Sequence, residues 1–348
     1  MCSTIIDAGG DQVMLRRILT AIALSSALLT SPTTAQTVDF YKGKTLEILV
    51  GFSPGGGYDA YARALAGVIG RHISGNPTVV VRNMTGAGSL RLALFLADAA
   101  PRDGTTIGIF DNGLMIAPLL KPDTAKFDAS KLSWVGSTSK DTQICMVWRD
   151  VGINSLEDLK TREITIGVTG LDDIRYMSTA MMRHVAGARL KIVPGYPGST
   201  DIRLAIERRE LDGVCDSWQS LKSTKAEWVR DNKVIIIVQI AAMSHPDLAK
   251  TPVIGQFADA SMKSAVELLV SPGEAGRSFA APPGVPSERL NTLRRAFDAA
   301  VKDRDFLETA QKLRLDVDPM PGEQIEQFLA RIYQATPEDV AMARKLIQ

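Results

Sequence analysis

The chain has 348 residues, of which 40 are Lys or Arg and 39 are Asp or Glu, so its formal net charge is +1. This balance excludes an extended basic face of the kind that binds nucleic acid. The length suffices for two domains of ordinary size, and a hydrophobic content of 45% is typical of a globular protein.

The N-terminal segment has the pattern of a secretory signal peptide. A pair of arginines at 16–17 precedes an apolar run at 18–29, and small residues follow. The apolar run is shorter than the roughly 20 residues of a membrane span. We therefore predict that 1–36 is a signal peptide and that the mature protein is periplasmic. Residues 1–13 fall outside the pattern, which makes Met14 an alternative start, and a retained anchor is the alternative to cleavage.

Beyond this leader, apolar β-branched runs alternate with amphipathic stretches. The predicted strands are 46–50, 78–82, 105–110, 144–148, 164–168, 189–193, 212–215 and 234–239. The predicted helices are 58–72, 89–99, 155–160, 173–186, 200–208, 219–231 and, in succession at the C-terminus, 287–302, 303–313, 322–334 and 337–347. This alternation predicts an α/β protein whose sheets are covered by helices on both faces.

Few residues suggest metal or redox chemistry. Cys2 is lost with the predicted leader, and Cys145 and Cys215 lie in apolar, strand-like runs. We predict two buried free thiols, with a disulfide as the alternative, because two cysteines do not form a framework that sequence reveals. The three histidines are scattered without a second ligand at metal spacing, so no metal site and no cofactor are predicted.

Five loops lie where predicted strands run into helices, which is where open α/β sheets bind ligands. They are 52–59, 83–89, 110–113, 168–173 and 195–201. In the first loop three glycines precede a helix, so the backbone can approach a ligand and the helix N-terminus favours an anion. All five loops are poor in Lys and Arg and rich in N–H and hydroxyl donors, which suits a small anion. The candidate ligand-binding residues are Phe52, Ser53, Pro54, Gly55, Gly56, Gly57, Tyr58, Asp59, Thr85, Gly86, Ala87, Gly88, Ser89, Asn112, Thr169, Gly170, Tyr196, Gly198, Ser199, Thr200 and Asp201.

Several of these residues keep a structural alternative. Asp59 and Asp201 are candidates either for ligand contact or for helix capping, and so are the hydroxyl groups of Thr85, Ser199 and Thr200. Tyr58 and Tyr61 are candidates either for lining the cleft or for packing in the core. Ser89 is expected to cap the helix that follows it. The four tryptophans are expected in the core or at a hinge. We also expect a valine at position 56 to abolish binding, because its side chain would block the approach of the backbone to the ligand.

Six motifs, in their order and spacing, resemble the substrate-binding proteins of tripartite tricarboxylate transporters, a family of Bug- and TctC-like periplasmic receptors. The motifs are 51–59, 83–88, 100–104, 195–199, 206–213 and 281–286. The resemblance covers nearly all of the chain after the leader. It implies a type II periplasmic-binding-protein fold, with two lobes, mainly parallel sheets and a ligand cleft between them. The lobes would be 37–140 with 255–348, and 141–254.

The resemblance also implies a function. The chain would capture a small organic anion, such as a carboxylate, by lobe closure and deliver it to a membrane permease with one large and one small subunit. The ligand would be held by backbone amides and waters from the loops matching 52–57 and 83–89. The second lobe would close through the loops matching 168–173 and 195–201.

One pair of residues departs from the family pattern. Asp172 and Asp173 occupy a loop where the family brings mostly uncharged groups to the ligand. Either they cap the helix and point away, or the ligand has a positive or hydroxyl-rich end. The absence of Arg from the loops argues against a tightly held tricarboxylate.

An enzyme and an extracytoplasmic sensor are the two competing function classes. The chain has no dinucleotide fingerprint, phosphate-binding loop or nucleophile elbow, so we predict that it is not an enzyme. An extracytoplasmic sensor would have the same fold and cleft but would pass its signal to another partner. That sensor is the alternative function.

Overall fold

The computed structural model describes residues 1, 3 and 40–348. Apart from positions 1 and 3, the predicted signal peptide lies outside the described residues, and so does the alternative start at Met14. Residues 41–348 form one compact unit. Among the described residues, no helix combines the length and apolarity needed to cross a bilayer.

Eleven strands lie within the described residues and form two sheets. In chain order they are β1 Thr45–Val50, β2 Thr78–Asn83, β3 Thr106–Ile109, β4 Ser133–Ser137, β5 Gln143–Trp148, β6 Ile164–Gly167, β7 Leu190–Val193, β8 Gly213–Ser217, β9 Val234–Ile240, β10 Ser278–Ala281 and β11 Met320–Pro321.

Thirteen α-helices accompany them in the same part of the chain. They are α1 Gly57–Ile69, α2 Leu90–Asp98, α3 Ala117–Leu120, α4 Leu156–Thr161, α5 Ile174–His184, α6 Ser199–Glu207, α7 Trp218–Thr224, α8 Ala226–Arg230, α9 Lys263–Val270, α10 Ser287–Ala300, α11 Arg304–Leu313, α12 Gly322–Ile332 and α13 Pro337–Leu346.

The first sheet has six strands in the order β2-β1-β3-β10-β4-β11. β1 pairs in parallel with β2 and β3, whereas β10 runs antiparallel to β3 and β4. All four residues of central β3 are buried, and the edge strand β2 is partly exposed. Such continuous apolar runs are expected of strands covered on both faces. We call this sheet and its helices the first lobe.

The second sheet has five strands in the order β7-β6-β8-β5-β9. β6 pairs in parallel with β7 and β8, and β5 runs antiparallel to β8 and β9. Both sheets thus share one plan, in which three parallel strands are followed by an antiparallel strand and then by a fifth strand that runs in the direction of the first three. The first sheet adds β11 as a sixth strand. We call this sheet and its helices the second lobe. The expected two-lobe α/β fold is confirmed, with mixed sheets because β10 and β5 oppose their neighbours.

The predicted elements lie close to the observed ones, with several omissions. The prediction missed β4 and β10, in which Ser, Gly and Ala are frequent and are weak strand formers. β11, which has only the two residues Met320 and Pro321, was missed as well. It also missed α3 and α9. The single helix predicted at 219–231 is divided into α7 and α8, since Lys225 between them is not helical.

The prediction of free thiols was wrong. Cys145 on β5 and Cys215 on β8 form a disulfide, with their Cα atoms 4.0 Å apart. The two residues are direct partners in the antiparallel register, so strand pairing itself brings the sulfurs together. Sequence could not reveal this contact because 70 positions separate the cysteines. Both side chains are buried, as expected.

The tryptophans contribute to the interior as expected. Trp134 and Trp228 are fully buried, and Trp218 is nearly so. Trp148 is partly exposed and meets the Trp228 ring edge-on, with 5.0 Å between ring centroids. None of the four is among the residues that line the cavity between the loops described below.

Candidate functional site

The loops that follow the parallel strands of the two lobes touch one another. The Ser53 amide donates to the Pro197 carbonyl at 3.2 Å, and the Ser53 hydroxyl donates to the Asp201 carboxylate at 2.6 Å. The Thr200 hydroxyl reaches the Pro54 carbonyl at 3.4 Å. The first glycine-rich loop of one lobe therefore contacts the start of α6 in the other, and the cleft between the lobes is closed.

Asp59 organises the first loop rather than facing solvent or a ligand. Its carboxylate accepts hydrogen bonds from the Gly55 amide at 2.9 Å, from the Asn83 amide at 2.9 Å and from the Arg63 guanidinium. Burial disfavours the charged carboxylate, but these hydrogen bonds outweigh it and lower the pKa of Asp59. Gly56 is the N-cap residue of α1, so Asp59 does not cap this helix, which was its predicted alternative to ligand contact, but stabilises the loop before it.

Glycines make the closest contacts between the lobes. A Cβ atom on Gly57 would lie 2.7 Å from the Ser220 Cβ, and one on Gly170 would lie 2.6 Å from the Gly88 amide nitrogen. A Cβ atom on Gly198 would meet the Ser53 hydroxyl. Gly56, which the sequence analysis singled out, has more room, since nothing lies within 3.9 Å of its added Cβ. At the contact between the lobes, Gly57, Gly170 and Gly198 are therefore sterically more sensitive than Gly56.

The second glycine-rich loop has an unusual backbone. Four consecutive residues have positive φ angles, namely Gly86 at 142°, Ala87 at 48°, Gly88 at 60° and Ser89 at 70°. A non-glycine residue in this region is strained, and strain of this kind concentrates at functional sites. Ser89 does not cap α2 with its side chain, contrary to expectation. Its hydroxyl accepts a hydrogen bond from the amide of Asp111 at 2.7 Å and so ties two loops together.

A cavity of about 480 Å³ lies between the loops of the two lobes. Its walls combine backbone and hydroxyl groups with apolar side chains such as those of Leu171, Pro194 and Pro197. Seven of the candidate residues contribute to it. The lining residues are Thr85, Gly86, Ala87, Gly88, Thr169, Gly170, Leu171, Asp172, Pro194, Gly195, Tyr196 and Pro197.

The two aspartates that depart from the family pattern both have partners within the protein, although Asp172 also lines the cavity. Asp173 caps α5, its carboxylate accepting hydrogen bonds from the Tyr176 amide, the Gly170 amide and the Thr169 hydroxyl. Asp172 forms an ion pair of 3.2 Å with Lys121 of the other lobe. The capping alternative is therefore observed for Asp173.

A buried arginine lies beside this loop, in the first turn of α5. One Nη atom of Arg175 donates to the Asp216 carboxylate at 2.8 Å and to the Ser199 hydroxyl at 2.5 Å. Its Nε and other Nη atoms have no hydrogen-bond partner among the described residues, although the side chain is only 3% exposed. The guanidinium lies 5.1 Å from the centre of the Phe52 ring.

Burial disfavours the charged form of this arginine, but the carboxylates of Asp216, Asp173 and Asp111 outweigh it and raise the pKa of Arg175. Asp216 in turn lies between Arg175 and Arg203. Burial disfavours its ionised form too, and the two guanidinium groups nevertheless lower the pKa of Asp216 to about 2.

A second buried arginine comes from the start of β10. Arg277 donates to the Ser217 hydroxyl at 2.5 Å and to the Asp141 carboxylate at 3.2 Å. Its guanidinium stacks over Tyr58, 4.2 Å from the ring centre, and its Nε and one Nη lack partners within the described part of the chain. The Tyr58 hydroxyl accepts from the Asn112 amide at 3.1 Å. Two cationic side chains with free donors therefore lie in the closed interface.

Sequence reasoning missed both arginines and the neighbouring Asp111. Arg175 lies just beyond the loop after β6, at the carboxyl end of a parallel strand, and this position was the signal that could have identified it. Arg277 precedes a strand that was not predicted. Asp111 belongs to one of the five loops, where the prediction chose Asn112 instead. The loops themselves lack arginine as noted, yet adjoining elements supply it.

A second cavity of about 540 Å³ lies beside the two crossings between the lobes, at 139–142 and 241–246. Its walls include the acidic side chains of Glu274, Asp316 and Asp318. This excess of carboxylates makes it a poorer site for an organic anion than the first cavity. Within the described part of the chain, no cluster of His, Cys, Asp or Glu could hold a metal ion.

Comparisons with known proteins agree with this architecture. No family model matches the chain. A UPF0065 protein from the tcbD–tcbE intergenic region of Pseudomonas sp. strain P51 is 26% identical over 304 residues, which cover 86% of this chain and 85% of the relative. The periplasmic binding protein BugD superposes with a TM-score of 0.71 and 21% identity, over 88% of this chain and 98% of BugD.

MatC from Rhodopseudomonas palustris, with bound malate, superposes with a TM-score of 0.67 and 19% identity, over 88% of this chain and 99% of MatC. At such identities the superpositions establish the fold. The resemblance indicated by the six sequence motifs is thus confirmed, because the chain has the fold of Bug-type periplasmic binding proteins and is similar in sequence to a UPF0065 protein.

Proposed function

We propose that this chain is an extracytoplasmic solute-binding protein that captures a small organic anion, a carboxylate, by closure of its two lobes. The closing lobes are residues 37–140 with 255–348, and residues 141–254. In this proposal the ligand enters an open cleft, is enclosed by the loops of both lobes and is released unchanged.

The observation that carries the proposal is that two buried arginines in the closed interface, Arg175 and Arg277, each have an Nε and an Nη atom without a hydrogen-bond partner among the described residues. A buried guanidinium with unused N–H groups is costly, because each donor has lost its hydrogen bonds to water. A carboxylate would restore them with charge-assisted bonds, which are about twice as strong as neutral ones. Arg175 and Arg277 are therefore the side chains best suited to hold an anion.

The cavity between the loops of the two lobes supports the same ligand class. Its volume of about 480 Å³ suits a small molecule, and its walls offer amide and hydroxyl groups. The carboxylate of Asp172, which also lines it, is paired with Lys121. MatC, which has the same fold, holds malate. A carboxylate of similar size is the ligand that we propose here.

The proposal extends to localisation and partners. The predicted signal peptide and the periplasmic binding-protein fold support export to the periplasm. There the closed form would present surfaces of both lobes to a membrane permease with one large and one small subunit. Neither nucleic acid nor a cofactor has a part in this proposal.

A thermal-shift screen of the mature protein tests the binding function. The panel is acetate, lactate, malate, adipate and citrate at millimolar concentration, after unfolding and refolding to remove any ligand retained from purification. We expect at least one carboxylate to raise the melting temperature, since a ligand that binds only the native state stabilises it. A panel without any shift would contradict the proposed ligand class.

A further inference from the structure

We propose that the ligand carboxylate binds between the Arg175 guanidinium of the second lobe and the Asp111 carboxyl group of the first, accepting a hydrogen bond from each. The inference rests on the proposed function and assigns the contacts made within that site. It also gives Asp111 a role as a donor, which requires this carboxyl group to be protonated in the complex.

Asp111 and Arg175 each have at least one atom that makes no hydrogen bond with the described residues and could bind a ligand. The Asp111 Oδ1 atom accepts from the Gly113 amide at 2.9 Å and from the Ile174 amide at 2.8 Å. Its Oδ2 atom has no partner among the described residues and lies 3.8 Å from an Nη of Arg175 that also has none. This separation exceeds hydrogen-bond reach, yet one oxygen atom could lie about 2.8 Å from both.

The two partners come from opposite lobes. Asp111 follows β3, Arg175 lies in α5, and both are at least 97% buried in the closed cleft. An anion that bridges them would join the lobes, which is the contact that a closure mechanism requires. The Ile174 amide already donates to Asp111 across the same boundary.

The distribution of hydrogen bonds favours Asp111 as the acid that carries the proton. Burial raises the pKa of Asp173 as well, but its two carboxylate oxygens accept three hydrogen bonds, which oppose that shift. The Oδ2 atom of Asp111 accepts no hydrogen bond from the described residues, so protonation of this oxygen breaks no hydrogen bond. Burial and the nearby charge of Asp173 raise the pKa of Asp111 to about 8, which leaves the group mainly neutral at physiological pH.

The remaining charges around Asp111 are compatible with this assignment. The groups that face it are Asp173 and Arg175 at the start of α5 and Tyr58 of α1. Burial raises the pKa of Tyr58, so its phenol stays neutral between pH 6 and pH 9. An ionised Asp111 would repel an incoming carboxylate, whereas a protonated one donates to it. Capture should therefore weaken as Asp111 loses its proton.

Isothermal titration calorimetry between pH 6 and pH 9 tests the assignment, with the carboxylate that stabilises the protein most in the panel above as the probe. For the wild type we expect an affinity about tenfold lower at pH 9 than at pH 6, because deprotonation of Asp111, whose pKa is about 8, removes the donor and adds a repulsive charge. Asp111→Asn keeps an acceptor for the two amides and a permanent donor, so its affinity should not change with pH.

Arg175→Gln should weaken binding at least tenfold at pH 6, because it removes a charge-assisted bond. Arg183→Gln is the matched control, since this exposed arginine lies on the same helix and its loss changes the net charge equally. Circular dichroism establishes whether Arg175→Gln is folded, and the pH profiles of wild type and Asp111→Asn decide the matter if it is not.

The outcomes separate the two proposals. Binding that is unaffected by Arg175→Gln, or a wild-type affinity that is constant from pH 6 to pH 9, would overturn the Asp111–Arg175 assignment and leave the solute-binding function standing. Failure of every carboxylate to bind the wild type at pH 6 would overturn the proposed function itself.

Discussion

Gly170→Ala should block lobe closure while leaving each lobe folded. In the closed structure an added Cβ would lie 2.6 Å from the Gly88 amide nitrogen and 2.7 Å from the Ala87 carbonyl carbon, both backbone atoms of the other lobe. Backbone cannot move aside as a flexible side chain can. The φ angle of Gly170 is not positive, so alanine brings no local strain.

The size of the effect follows from these distances. Ordinary van der Waals contact needs about 3.5 Å, so the loops must separate by about 0.9 Å. A separation of this size would stretch the Ile174–Asp111 hydrogen bond, now 2.8 Å, beyond its useful range. Overpacking of this kind costs about 1–3 kcal/mol, which corresponds to about 5- to 150-fold weaker ligand binding.

Calorimetry and small-angle scattering together measure this effect. The variant should bind the best carboxylate of the panel about 5- to 150-fold more weakly than the wild type does. On ligand addition its radius of gyration should decrease less than that of the wild type. Gly255→Ala is the control, because nothing lies within 4 Å of its added Cβ. Wild-type affinity in Gly170→Ala would refute the view that the Gly170–Gly88 contact belongs to the ligand-bound state.

Three further predictions concern stability and closure. Replacing Cys145 and Cys215 by alanine should lower the free energy of unfolding by about 4 kcal/mol, given their separation of 70 residues, and urea titration with and without reductant measures it. An unchanged midpoint would argue against the disulfide. Ser53→Ala removes the 2.6 Å bond to Asp201 and should weaken ligand binding about fivefold in calorimetry. Because the two residues share one hydrogen bond, the double variant with Asp201→Asn should bind only slightly more weakly than Ser53→Ala alone. Additive losses of affinity in the double variant would contradict direct coupling. Because the folded state lowers the pKa of Asp216 to about 2, its stabilisation is complete above about pH 5 and is lost as the pH falls towards 2. Urea unfolding should therefore show wild type losing about 2 kcal/mol more than Asp216→Asn between pH 5 and pH 2, and parallel losses would oppose this assignment.

The sequence predicted the alternation of strands and helices because long apolar runs and amphipathic stretches are local signals. It failed where the signal was short or composed of small residues, as in β4, β10 and the break at Lys225. Strand order was not predicted, since strand pairing depends on contacts between residues far apart in the chain.

The candidate site shows the same division. Glycines and helix starts identified the loops that now face each other, because strand-to-helix turns have a recognisable composition. Arg175 was missed because an arginine in the first turn of a helix is usually exposed, and Arg277 was missed because it precedes a strand that was not predicted. Only the packed structure shows that Arg175 is buried next to Asp111. The Cys145–Cys215 disulfide was not predicted for a similar reason, because it depends on the pairing register of β5 and β8.

The central claim is that the closed cleft holds one small carboxylate. Native mass spectrometry of the refolded, mature protein mixed with the whole carboxylate panel tests it most directly. We predict a single adduct of one carboxylate per chain, which is diminished in Arg175→Gln. A spectrum showing only the bare protein at millimolar carboxylate would contradict the claim.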